Sequence, residues 1–191
     1  MKITVRPLTP ELWPDFEAVF NAKGCSVARG CWCMFYRESG RSIPAAGTRL
    51  RDERRRRMKE LTAAGPPPGL VGYHGKLPVG WICLGPRAAF ARLRRSPVMK
   101  PVDDQPVWSI VCFVVPSEYR RQGVASALLA AAVRYARKCG ATLLEAYPVD
   151  KAEPARDESF WFGTQSMFDA AGFEEVARRK PQRPIVRLRV G

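Results

Sequence analysis

Residues 111–136 read VCFVVPSEYRRQGVASALLAAAVRYA. Their first five residues close a longer apolar run, Val107–Val115, whose β-branched and aromatic content predicts a strand buried on both faces. Pro116 ends the run, and a short polar turn leads into Arg120-Arg121-Gln122-Gly123-Val124-Ala125. From there Ala127, Leu128, Ala131, Ala132 and Tyr135 share one face of a helix over Val124–Lys138. Strand, turn and helix in that order make an anion site. The helix start leaves N–H groups free, its dipole favours negative charge, and Gly123 permits close backbone approach. Small Ala125 and Ser126 keep the entrance open, and Arg120 and Arg121 add charge-assisted contacts. The plainer alternative is an ordinary strand-to-helix connection capped by arginines.

Working outward, Ile3–Leu8 alternates as a first strand, and Thr9 with Pro10 and Glu11 signals the start of a helix running to about Asn21. Residues 22–47 look irregular, and Arg49–Ala64 returns to helical character with Leu50, Met58 and Leu61 on one side. The Gly65–Gly69 stretch, GPPPG, stops it. Leu70–Tyr73 and Val79–Leu84 flank a turn at His74-Gly75-Lys76 and read as a hairpin. Residues 86–106 are an arginine- and proline-containing excursion. Beyond the central unit come a strand at Thr142–Tyr147 and a helix over Trp161–Ala171 closed by Gly172. Short strands at Glu174–Ala177 and Ile185–Val190 finish the chain. In the last of them Val186, Leu188 and Val190 alternate with Arg187 and Arg189. The pattern is mixed α/β or α+β, one sheet with helices packed on it.

A chain of 191 residues with 46% hydrophobic and 26% charged residues fits one folded domain, 1–191, able to bury its own core. Nothing approaches a membrane-spanning run, and the opening MKITVRPLTPELW lacks an apolar leader, so the expected location is cytoplasmic. The formal charge of +14 is clustered in Arg49–Lys59 and in Arg92, Arg94 and Arg95. Such clusters are either solvated helix faces or a field for phosphorylated partners. No nucleic-acid-binding module accompanies them, which makes nucleic acid an unlikely partner. The close cysteine pair among Cys25, Cys31 and Cys33 is spaced C-x-C, unlike the pairs of structural zinc sites, so no metal is expected. Cys83, Cys112 and Cys139 sit in apolar stretches as small core residues. His74, the single histidine, falls in a turn, which disfavours a histidine-activated nucleophile.

With Arg120, Gly123 and Ala125 in an R/Q-x-x-G-x-G/A pattern after a central strand, the chain resembles the GNAT (GCN5-related N-acetyltransferase) superfamily. ITVRPLTPELWPDFEAVF is similar to that family's first strand and helix, Pro78–Leu84 to its third strand, and MFDAAGF to its closing helix. The resemblance implies a six- or seven-stranded, mostly antiparallel sheet with about four helices and splayed central strands. It implies acetyl-CoA as co-substrate, with no metal, and attack by an amine acceptor on the thioester in a ternary complex. Main-chain groups of Phe113, Val114 and Val115 would meet the pantetheine and thioester, and Arg121, Gln122, Gly123, Val124, Ala125 and Ser126 the pyrophosphate. Glu145 stands where some members place a catalytic glutamate; it is either that base or a carboxylate paired with an arginine. Where many members carry a proton-donating tyrosine, this chain has Phe168, expected to pack beside the pantetheine, leaving Ser166, Tyr147 or water as the acid.

By the same resemblance, segments 22–47 and 86–106 would recognise the acceptor. Trp32, Phe35 and Tyr36 offer flat apolar surface, and Asp103 and Asp104 two carboxylates for an ammonium group. Alternatively the aromatics cap the core and the aspartates make a turn before Pro106. The arginine-rich surface argues for a small amine, or the amine of an anionic metabolite, over a polycation. A cofactor-binding module without turnover, and a basic nucleic-acid-binding protein, are the other classes. The sequence leaves the oligomeric state open, a homodimer included.

Overall fold

The computed structural model describes residues 1–39, 48–150 and 161–191. Among them lie strands β1 (Thr4–Pro7), β2 (Gly69–His74), β3 (Leu77–Pro86), β4 (Trp108–Val114), β5 (Leu143–Ala146), β6 (Glu174–Lys180) and β7 (Arg183–Arg189). The helices are α1 (Trp13–Asn21), α2 (Ser26–Cys31), α3 (Thr48–Ala64), α4 (Val124–Lys138) and α5 (Gln165–Asp169). The strands form one sheet in the order β1-β2-β3-β4-β5-β7-β6. Every neighbouring pair is antiparallel except β4 with β5. None of the described helices is long and apolar enough to cross a membrane.

Both sheet faces are covered, because alternate residues of the central strands are apolar in both directions. One face carries α1 and the α2 region: Phe16 meets Trp81 edge-on at 4.6 Å, and Trp32 stacks on Phe20 at 5.1 Å. The other face carries α4, through Val124, Leu128, Leu129 and Ala132. A Cβ on Gly80 would sit 2.8 Å from the Val124 side chain, so glycine in β3 lets the first turn of α4 press on the sheet.

Three local expectations are corrected. Thr9 makes no side-chain cap; a 3-10 turn over Pro10–Leu12 precedes α1, which starts at Trp13. The stretch read as irregular contains α2, while 40–47 lie outside the described residues. The last helix begins at Gln165 rather than Trp161, because Gly163 is left-handed and Thr164 bridges Val149 before capping α5 with its hydroxyl.

Candidate functional site

β4 controls the central opening. Its register against β3 runs Cys83↔Cys112 and then Leu84↔Ile110, leaving Val111 as an extra residue. A bulge of this kind bends its strand and puts two successive side chains on one face; Val111 and Cys112 both meet the core on the α1 side. The parallel pairing with β5 covers only Trp108↔Leu144 to Ile110↔Ala146, whereas β4 continues to Val114. Past Ile110 the two strands have parted, and alternate β4 residues direct main-chain N–H and C=O groups into the opening.

At the mouth of this opening the chain turns into α4. Arg121 (φ 58°) and Gly123 (φ 81°) are both left-handed, and Gly123 serves as N-cap without any side-chain capping bond. Among the described residues no acceptor takes the main-chain N–H groups of Arg121 to Ser126; the first α4 bond runs from Ala127 to Gly123. A Cβ on Gly123 would meet no atom of the protein within 4 Å, so the space above the turn is open. Arg121, Gln122 and Ser126 are exposed, Ala125 is half-buried, and Val124 is buried against the sheet. Six unpaired amides, a helix start and an open approach suit linked phosphate groups.

Arg120 and Val115 are placed differently from expectation. The Arg120 guanidinium donates from Nε to the Val115 carbonyl (3.1 Å) and from Nη2 to the Gly24 carbonyl (2.8 Å). With Ser117, whose N and Oγ both bond the Lys23 carbonyl, it ties the α1–α2 connection to the turn. Phe168, expected beside a ligand, is fully buried and edge-on to Phe113 (6.1 Å) and Phe173 (5.0 Å). Ser166 is exposed in the first turn of α5, its hydroxyl 3.1 Å from that of Thr164.

Glu145 lies fully buried on β5 opposite Arg187 of β7. Its Oε2 accepts from Arg187 Nε (2.8 Å) and its Oε1 from the Tyr147 hydroxyl (2.8 Å). Arg87 Nη1 lies 3.2 Å from Oε1 in a charge contact without hydrogen-bond alignment. Tyr147 is also 3.0 Å from the Ser109 hydroxyl; burial first, then the Glu145 charge, pushes its phenol well above the usual tyrosine range. Arg187 also donates two bonds to Asp103, at 2.6 and 3.0 Å. Asp103 is therefore committed to this buried arginine and to the turn, where it accepts from the Gln105 amide; Asp104 is exposed.

The Arg187 hydrogen bonds hold the Asp103 carboxyl at about 2. A depressed folded pKa means its contribution is complete above the unfolded value near 3.9 and disappears as pH falls towards 2. Between pH 5 and 2 the native chain should lose more thermal stability than Asp103→Asn does. Identical melting profiles over that interval would remove the pair from the acid response.

Of the aromatics expected to face an acceptor, Trp32 is only 2% exposed and belongs to the core. Phe35 is exposed with the Arg92 guanidinium 3.9 Å from its ring centre, and Tyr36 packs edge-on to Phe162 at 5.9 Å. The cysteines divide in a way their spacing hides. Cys33 joins Cys83 and Cys112, which are partners across β3 and β4, in the core on the α1 side, and its sulfur accepts from the Trp81 indole at 3.2 Å. Burial pushes the Cys33 thiol well up, so the group is neutral. Cys139, expected in the core, is exposed. Among the described residues no group of three or more His, Cys, Asp or Glu is placed to hold a metal ion. The ion-pair roles of Arg187 and Arg87 and the meeting of Cys33 with Cys83 and Cys112 escape the sequence reading, in which Arg187 figures only as an arginine alternating with apolar residues.

A family model described as the Acetyltransferase (GNAT) family matches residues 32–157. No curated protein matches the chain. Among solved structures, a polyamine N-acetyltransferase from Drosophila melanogaster is 10% identical with a TM-score of 0.57, covering 98% of this chain and 100% of its own. An N-acetyltransferase from Staphylococcus aureus is 14% identical with a TM-score of 0.53, covering 100% of both chains. The yncA protein of Salmonella typhimurium, solved with its cofactor acetyl-CoA, is 14% identical with a TM-score of 0.55, covering 99% of this chain and 94% of its own. At such identities the likeness is one of fold.

Proposed function

The chain belongs to the GNAT family of acetyltransferases, and on that premise we propose that it transfers an acetyl group from acetyl-CoA to a primary amine. The observation carrying this reading is the turn before α4, where unpaired amides and the open space over Gly123 adjoin a strand edge that β5 has left. The amides of Arg121 to Ser126 hold the pyrophosphate, and Arg121 adds an exposed cation. Main-chain groups of Phe113 and Val114 align the pantetheine arm, and one N–H in the opening polarises the thioester carbonyl. Acetyl-CoA supplies the activated acyl group. The residues of this chain orient it, exclude water from one side through Phe113 and Phe168, and leave the other side to the acceptor.

Attack requires a neutral amine. Both oxygens of Glu145 face cationic or phenolic donors, which favours loss of the ammonium proton to solvent water over direct transfer to this carboxylate. Glu145 then acts as a positioning residue, fixing Tyr147 and Arg187 beside the opening. Phe168 offers no proton and Ser166 is bonded to Thr164, so water protonates the departing thiolate.

The test is a thermal-shift titration with acetyl-CoA, followed by a panel of small amines read by release of free thiol. Saturable stabilisation is expected, approaching roughly 2.7 kcal/mol at a hundredfold excess over Kd, together with thiol release for at least one amine. Absence of stabilisation at millimolar acetyl-CoA would overturn the cofactor assignment. Stabilisation without release for any amine would favour a binding module, which the buried Phe168 supports.

A further inference from the structure

On the α1 side of the sheet a cavity of about 290 Å³ is lined by Asn21, Arg29, Trp32, Arg51, Asp52 and Arg55. These residues come from the end of α1, from α2 and its C-cap, and from α3. Two donors at this cavity are buried without an acceptor among the described residues: the Trp32 indole Nε1–H and the Arg29 Nε–H. Trp32 is 2% exposed, and its ring is clamped parallel to Phe20, so that indole cannot turn to find a partner elsewhere. The other cations have only partial compensation: Arg51 meets exposed Asp52 at 3.2 Å, and Arg55 meets Glu17. The lining thus carries three guanidinium groups and one carboxylate, with Glu17 pairing Arg55 from outside it and Arg29 left, among the described residues, without an ion pair there. A buried donor left without a partner is costly. Two such donors in the lining of one cavity, with more guanidinium groups than carboxylates around it, suit an acceptor that carries negative charge.

We propose that this cavity binds the phosphoryl group of a small phosphorylated ligand, held by Arg29, the Trp32 indole and Arg51. A tetrahedral dianion accepts from several directions at once, which matches donors arriving from α2, its C-cap and α3, and guanidinium forks are suited to phosphate oxygens. The volume is at the small end for metabolite pockets and admits a phosphate with a short carbon skeleton. None of its lining residues belongs to the turn before α4, so it is a second anion site, independent of the cofactor assignment.

The test uses the intact chain carrying 15N-labelled tryptophan, with inorganic phosphate and glycerol 3-phosphate as probes and sodium chloride at matched ionic strength as control. The Trp32 indole N–H resonance, identified by its disappearance in Trp32→Phe, is expected to move saturably with either probe. The tighter of the two shows whether free phosphate or an ester is preferred. Arg29→Gln and, on the exposed part of α3, Arg51→Gln should each weaken the response roughly tenfold, the effect of one lost charge-assisted contact. If Trp32→Phe does not fold, the affinity difference between the native chain and Arg51→Gln, read by thermal shift, carries the decision. A shift equally produced by chloride, unchanged affinity in both arginine variants, or a response that vanishes in Gly123→Val would each overturn the site. The last would place the phosphate at the turn before α4 instead.

Discussion

Gly123→Val is expected to abolish stabilisation by acetyl-CoA while the chain still folds. Gly123 sits at φ 81°, where a β-branched residue is strained by roughly 1–2 kcal/mol or somewhat more, a loss most single domains survive. The protein itself leaves the space beside Gly123 open, since a Cβ added there meets no atom within 4 Å. The valine side chain fills the approach to the amides of Arg121 to Ser126. Each charge-assisted bond forfeited costs about 1.5–3 kcal/mol, so losing two lowers affinity by roughly two to four orders of magnitude. Gly123→Ala separates the two effects: its melting temperature without ligand reports the strain, and its affinity reports the blockage. Native-like affinity in the valine variant would mean that the phosphates bind elsewhere.

This part of the molecule was legible because it is local. The buried strand, Pro116, the glycine and the helix over Val124–Lys138 follow one another within 32 residues, and the observed α4 has the expected bounds. What escaped was assembled from distant pieces. Arg187 alternates with Val186 and Leu188 and reads as a solvent-facing residue, but this sheet is covered on both faces, so the outward side of β7 is interior as well. Its partners lie 42 and 84 residues away, at Glu145 and Asp103. The thiol group depends on the β3–β4 register, which follows from a bulge that no residue pattern announces. For Trp32 the resemblance leaves two readings, acceptor surface or cap of the core, and for Phe168 it implies a place beside the pantetheine; their neighbours Phe20, Phe113 and Phe173 make both core. The pattern of apolar residues specifies which faces are buried, but a long polar side chain on such a face needs a partner that only the tertiary fold supplies.

Glu145→Ala should be the most damaging single change to stability. It removes one carboxylate from between Arg187 and Arg87, both at or below 9% exposure, and from the hydroxyl of Tyr147. Deleting one member of a buried ion pair costs about 3–5 kcal/mol because the remaining charge stays buried without compensation. Asp103 still neutralises Arg187 in part, which places the expected loss towards the lower end of that range for Arg187 and leaves Arg87 the more exposed to the change. The double variant Glu145→Leu with Arg187→Met should recover a substantial part of the loss, since an apolar pair of similar volume carries no desolvation cost. Glu145→Gln then distinguishes a positioning residue from a base. It keeps the shape and can still accept from Tyr147, so below its melting temperature acetyl transfer should fall less than roughly tenfold, whereas removing a general base typically costs a factor of 10² to 10⁴. A Glu145→Gln protein with native stability but a rate reduced a hundredfold, its pH profile flattened, would return the proton to Glu145.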